Sequence, residues 1–234
     1  MQMLPDRWQT NTMQHLYFGG ACDVDVLRVK NGEHEFGACL SPIGAPSATA
    51  LLEELTVLGF QRFVVFGTCG ILVPGIAAGS LIVPTAAVRD EGTSYHYAPA
   101  SDTIPLVTAA RLADYLDDMR VPYVKGTVWT TDAFYRETRA LVNRRVAEGC
   151  VAVDMEASAL AAMSQFRGVD VYQFLVAADW LGNEWVLRSL ADEPRVALWE
   201  IAFAIARRLE DGTEERHSGL DEQGATNLSD MPQP

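Results

Sequence analysis

Between residues 62 and 209, short apolar runs alternate with segments whose apolar residues recur at helical spacing, and no other feature of the chain constrains the fold as strongly. Arg62 to Phe66 and Leu81 to Val88 read as strands, as do residues 122–129, 150–154 and 171–177. Helical spacing covers residues 105–118, 138–148, 156–167 and about 191–209, with Pro105 suited to the first turn of the earliest of these. Upstream, residues 35–41 suit a strand, and Pro46 opens a helix carried by Ala48, Leu51, Leu52 and Leu55 and stopped by Gly59. The alternation predicts an α/β fold, with a central, mostly parallel or mixed twisted sheet flanked by helices. In such sheets ligands gather beyond the carboxyl ends of the strands.

At 234 residues and 49% apolar content the chain can bury one sizeable core, so a single domain over residues 1–210 is expected. Residues 1–34 are poorly assigned, apart from a hairpin turn at Asn31-Gly32 between Asp25–Val29 and Glu35–Leu40. From Asp211 to Pro234 there are six acids and one arginine, and this polar stretch is expected to be a disordered tail. A net charge of -13 argues against nucleic acid or an anionic membrane as partner. No stretch approaches 18 uncharged apolar residues, and Asp6 and Arg7 interrupt any signal-peptide core, so a cytoplasmic protein is expected. Cys22, Cys39, Cys69 and Cys150 lack CxxC spacing and are expected to be reduced.

Three apolar runs finish in residues with chemistry to offer. Phe63 to Phe66 leads into Gly67-Thr68-Cys69-Gly70, where Gly67, Thr68 and Gly70 are expected to form a turn whose N–H groups and hydroxyl cradle an anion. Val153-Asp154-Met155-Glu156-Ala157 delivers two carboxylates where a helix begins, and Phe174 to Ala178 ends in Asp179. Breaking a sugar-to-base bond builds positive charge on the sugar ring and negative charge on the departing base, and this set suits both. The structural alternatives are a helix N-terminal acid for Glu156 and a helix cap for Asp179.

Five ordered motifs carry a resemblance to the nucleoside phosphorylase family, the purine nucleoside and uridine phosphorylases of the trimeric and hexameric class. They are Gly44-Ala45-Pro46-Ser47-Ala48 with Glu53-Glu54-Leu55, then Gly67-Thr68-Cys69-Gly70, then Arg89-Asp90-Glu91-Gly92-Thr93-Ser94-Tyr95-His96-Tyr97. Thr131-Asp132-Ala133-Phe134-Tyr135 and Asp154-Met155-Glu156-Ala157 complete the set. The resemblance implies the family's three-layer fold, a homo-oligomer (dimer, trimer or hexamer) and no cofactor, with orthophosphate as co-substrate. It also implies that Glu156 accepts hydrogen bonds from the ribose hydroxyls, with Met155 and Asp154 beside the sugar. Asp179 would meet N7 of a departing purine, and Thr68, Gly67 and Gly70 would bind phosphate. Phe134 and Tyr135, like Trp129, would stack on the base or belong to the core. His96 would reach a 5'-hydroxyl or cap local backbone, and Arg188 would pair with Asp179 or with phosphate.

The chain is an atypical member of that pattern. Val65 stands where the family places an arginine two residues before the first glycine, and no Gly-Asp-Pro-x-Arg run precedes Gly44. A dianion desolvated without bidentate partners is bound weakly. Either Arg89, Arg136, Arg139 or a neighbouring subunit compensates, or water is the nucleophile and the chain is a nucleosidase. Nucleosidases of this family use an extra N-terminal glutamate, for which Glu33 and Glu35 are candidates. Asp179 favours a purine, whereas Arg89-Asp90-Glu91-Gly92 resembles the uridine branch; the Gln and Arg that follow the Phe-Tyr pair in that branch are not reproduced in Arg136-Glu137-Thr138-Arg139. Cys69 has no activating His or Asp at a recognised spacing, and no serine elbow, Walker loop or paired-His metal motif is present. The sequence thus points to a nucleoside phosphorylase, with a nucleosidase as alternative and a non-catalytic nucleoside- or nucleotide-binding protein as a second.

Overall fold

A computed structural model describes residues 4, 8–18, 22–182 and 192–218. Five strands of the larger sheet close on themselves. In chain order they are β4 (Arg62–Ile71), β5 (Leu81–Asp90), β7 (Tyr123–Thr131), β8 (Cys150–Asp154) and β9 (Asp170–Trp180), with the short β6 (Thr103–Pro105) added at one edge. The spatial order is β6-β5-β7-β8-β4-β9, and β5 also pairs with β9 at Leu81↔Val176 and Ile82↔Leu175. β5/β7, β7/β8 and β4/β9 are parallel, while β4/β8, β5/β9 and β5/β6 are antiparallel. The mixed sheet flanked by helices is the α/β architecture read from the sequence; its closure is not visible in any local pattern.

Helices occupy the outside of this sheet. They are α1 (Ala45–Val57), α2 (Ala109–Asp118), α3 (Arg139–Ala147), α4 (Ala157–Arg167) and α5 (Asp192–Ser218). In α2 the buried residues are Ala109, Leu112, Ala113 and Leu116, the spacing of one helix face. α4 is buried over its first eight residues, from Ala157 to Ser164, because alanines and serines let it lie close to α1 and the sheet. Gly59 ends α1 with φ +98, and Phe60 N–H closes back on Leu55 O at 3.0 Å. Arg120 takes the same left-handed position after α2, with Val121 N–H on Leu116 O.

The poorly assigned N-terminal segment contains a separate antiparallel sheet of β1 (Gln9–Phe18), β2 (Cys22–Asn31) and β3 (His34–Ala38). Leu16, Val24 and Val26 pack on α1, and Trp8, Val29 and Ala38 enclose Phe203 of α5. The hairpin turn is shifted by one residue from the expected Asn31-Gly32. Asn31 pairs with His34, so Gly32-Glu33 is the two-residue loop, and Gly32 at φ +67 fills the position a type II′ turn reserves for glycine.

Three further expectations are corrected. Pro105 does not open a helix but ends β6, where it pairs with Ala86; α2 begins four residues later. Gly67-Thr68-Cys69-Gly70 is not a turn, since β4 runs through it to Ile71 in register with β9. α5 extends through Ser218, eight residues into the segment expected as tail, and residues 219–234 lie outside the described residues. Among the described residues no helix is long and apolar enough to cross a membrane.

Candidate active site

Gly70 is where the three marked runs meet. It pairs with Val153 of β8 on one side and with Asp179 of β9 on the other. β4 and β8 arrive from opposite directions and overlap only at Gly70 and Ile71, which brings both carboxyl ends together. A side chain at Gly70 would run into Leu181 Cδ1 and lie 2.9 Å from Val153 Cγ1, so the junction needs glycine. Gly67 and Thr68 are exposed while Cys69 is buried. Burial, with the charges of Asp154 and Asp179, pushes the Cys69 thiol up, which removes it as a nucleophile.

The two carboxylates around Met155 have different surroundings. Asp154 is buried and its oxygens are held inside the protein: Oδ1 accepts from Thr130 Oγ1 at 2.7 Å, and Oδ2 from the N–H groups of Ala157 and Glu156 at 2.7 and 3.2 Å. It thereby satisfies two of the free donors at the start of α4. Burial pushes the Asp154 carboxyl up to about 7; the charge of Glu156 adds to this, and the three hydrogen bonds oppose it. Glu156 is half-buried and faces the other way, with Oε1 accepting the Gly44 N–H at 2.7 Å. Burial raises its carboxyl too, against the N–H groups of Gly44 and Met155. Met155 is half-buried beside it.

Behind this pair lies a buried polar chain. Thr130 Oγ1 accepts the Ser158 N–H at 3.1 Å, and Ser158 Oγ donates to Glu91 Oε1 at 2.8 Å. Glu91 accepts the Ser94 N–H, and Ser94 Oγ accepts from Arg89 Nε at 2.9 Å. The chain joins the ends of β5, β7 and β8 to the first turn of α4, so the Glu156 backbone is held from three strands.

Arg89 belongs to that scaffold and not to a ligand. Its guanidinium is buried, donates to the carbonyls of Pro99, Ser101 and Ala98, and lies 4.0 Å over the Tyr95 ring. The expectation that Arg89 contacts substrate or replaces a phosphate arginine is therefore corrected. Val65 is partly buried against the core around Phe63, Leu160 and Met163, so the position of the missing arginine is packed with apolar groups. Trp129 is fully buried and donates to Asp90 Oδ2 at 2.9 Å, which makes it core and not a stacking platform.

The remaining expected residues are more open. Phe134 and Tyr135 are exposed and their rings stand 4.1 Å apart. His96 is exposed and lines a cleft of about 400 Å³ with Pro46, Thr49 and Asp132. Arg136, exposed and without a side-chain partner among the described residues, lines a second cleft of about 400 Å³ with Thr138 and Arg144. Arg139 donates to the carbonyls of Leu181 and Gly182, fastening the start of α3 to the end of β9. Arg188 lies outside the described residues. Gly44, Thr130 and Ser158 were not expected in these roles; the Gly44 and Thr131-Asp132 motifs mark their neighbourhoods, but no local signal gives the roles.

A family model described as the phosphorylase superfamily matches residues 13–205. A guanosine phosphorylase of Halorubrum lacusprofundi is 30% identical over 162 residues, covering 63% of this chain and 66% of that protein. A uridine phosphorylase of Treponema pallidum is 32% identical over 182 residues, covering 72% of this chain and 65% of that protein. Another uridine phosphorylase, of Thermococcus kodakarensis, is 38% identical over 97 residues, 40% of this chain and 34% of that protein. The chain thus spans less than two thirds of the length of these relatives.

Proposed function

The chain belongs to the phosphorylase superfamily, and from that premise we propose that it cleaves the N-glycosidic bond of a nucleoside with orthophosphate, giving free base and ribose 1-phosphate. The observation that carries this reading is the placement of Glu156. It stands at the mouth of α4 with one oxygen fixed by Gly44, across the β4/β8 junction from the exposed Thr68. A carboxylate held in this way strengthens its hydrogen bonds to the ribose hydroxyls as the ring becomes cationic. The glycosidic C–N bond breaks with its electron pair leaving on the base, a phosphate oxygen bonds to the anomeric carbon, and the base takes up a proton.

We favour a purine and assign the base to Asp179, which pairs with Gly70 at the end of β9, because a carboxyl can share a proton with N7. Relatives named for guanosine and for uridine support a nucleoside without fixing the base. Arg136 is the open cation nearest in sequence to the Phe134-Tyr135 pair, and we assign phosphate to it together with a neighbouring subunit of a homo-oligomer. One observation favours a second reading. Val65 packs into the core and Arg89 is engaged by backbone carbonyls, so the anion site is poorer in arginine than orthophosphate would use, and water as nucleophile would make the chain a nucleosidase.

Glu156→Gln tests the shared part of both readings. The variant keeps the acceptor for Gly44 and is expected to lose roughly 100-fold or more in kcat/KM across a panel of nucleosides, with an unchanged thermal melt. Turnover close to wild type would remove Glu156 from the mechanism.

A further inference from the structure

The segment that follows β5 lines the cleft beside His96, yet the reading above gives it no part in the reaction. Its single helical turn, Thr93–His96, packs against both α4 and α1. The cleft is lined by Gly92, Thr93, His96 and Tyr97 of this segment and by Pro46, Thr49 and Ala50 of α1. Both linings are hydrogen-bonded toward Glu156. From the α1 lining the link is direct, through the Gly44 N–H to Glu156 Oε1. From the other it runs through Glu91, whose Oε2 and Oε1 lie 3.0 and 3.3 Å from the Ser94 N–H. The same carboxyl accepts the Ser158 hydroxyl of α4 at 2.8 Å. Ser158 leads through Thr130 to Asp154, whose Oδ2 accepts the Glu156 N–H.

We propose that Glu91 is a positioning residue for the reaction: by bridging Ser94 and Ser158 it makes the orientation of Glu156 depend on the segment 93–97. The inference rests on the assignment of Glu156 to the ribose hydroxyls. Glu91, Ser94 and Ser158 are buried, so they act through the first turn of α4 and not by touching substrate. A backbone N–H and a hydroxyl from two different elements need one acceptor open to both, which a carboxyl supplies and an apolar side chain does not. The helix itself has no need of this bridge, since Ala157, Ala159, Ala161 and Ala162 around Ser158 are buried in α4 without one. Without the Ser158 bond, α4 keeps its ties to Thr130 and Asp154 but loses its tie to the segment lining the cleft. A small displacement of an aligned group costs far more in the transition state than in the fold.

Ser158→Ala removes the bridge from α4 and leaves Glu91 with Ser94, whereas Glu91→Gln sets an amide donor against one of the two. Both variants and their combination are compared with wild type in base release from nucleosides and in binding of the free base, which has no ribose for Glu156 to hold. In protein that melts well above the assay temperature, each single variant should lose about tenfold in kcat/KM for nucleosides, with Kd for the free base within about twofold of wild type. The double variant should be no worse than the poorer single one, because both act through one bond. Unchanged kcat/KM in either folded single variant, losses that add in the double variant, or an equal loss of nucleoside turnover and free-base binding overturns the proposal and leaves the nucleoside reading standing. A wild-type protein that releases base from no nucleoside overturns that reading, and this proposal with it.

Discussion

Gly44 N–H donates to Glu156 Oε1 at 2.7 Å, so the turn before α1 holds the carboxylate at the start of α4 although 112 residues separate the two. Gly44 has φ +98, a left-handed backbone that places this N–H and that other residues adopt only under strain. The Glu156 carboxylate is thereby held by backbone of a distant turn. The fold supplies the alignment in advance of binding, which is the condition for electrostatic stabilisation without reorganisation.

Gly44→Ala is expected to strain this turn by about 1–3 kcal/mol and to pull the N–H away from Glu156. The melting temperature should fall, and kcat for nucleosides should fall severalfold at a temperature where the variant is folded. An unchanged kcat in a folded Gly44→Ala protein would show that the hydrogen bond does not orient Glu156.

Asp154 predicts a stability slope with a definite sign. Its carboxyl is raised from an ordinary value of 3.8 to about 7, so the folded protein holds a proton there that the unfolded chain has released. Its contribution is therefore full below about pH 4 and is lost as pH rises to about 7 and beyond. Asp154→Asn removes this titration but leaves those of Glu156 and Glu137 in place. Urea midpoints of wild type and Asp154→Asn at pH 5 and pH 8 should show the variant gaining on wild type at the higher pH, by on the order of 1–4 kcal/mol. A gap that does not change with pH contradicts this assignment.

Arg89 and Arg136 separate scaffold from ligand. Arg89→Lys cannot reproduce contacts with three carbonyls, a hydroxyl and the Tyr95 face, and about 2–4 kcal/mol of stability should be lost. KM for phosphate in the folded fraction should stay near wild type. Arg136→Ala should leave the melting temperature unchanged and raise KM for phosphate about tenfold or more. Steady-state kinetics at varied phosphate, beside thermal melts, distinguish the two; the reverse pattern contradicts both roles.

The sequence made the alternation of strands and helices legible because periodicity is local. α1, α3, α4 and the strands β4, β5, β7, β8 and β9 begin where apolar spacing placed them to within a few residues, and the three marked runs do converge. What escaped was set by partners distant in the chain. β4 runs straight through Gly67 to Gly70 because β9 and β8 supply backbone partners there, whereas the glycines alone suggested a turn. Pro105 is a good first-turn residue, yet β5 takes it as the end of an edge strand, where its missing N–H costs nothing. Arg89 looked like an available cation, but the loop to Ser101 folds around it.

The nucleophile, phosphate or water, decides between phosphorolysis and hydrolysis. Base release should be followed from a panel of purine and pyrimidine nucleosides with and without orthophosphate, and the sugar product identified. Release that requires phosphate and yields ribose 1-phosphate is the predicted result. Release indifferent to phosphate, with free ribose as the product, would contradict it and make the protein a nucleosidase.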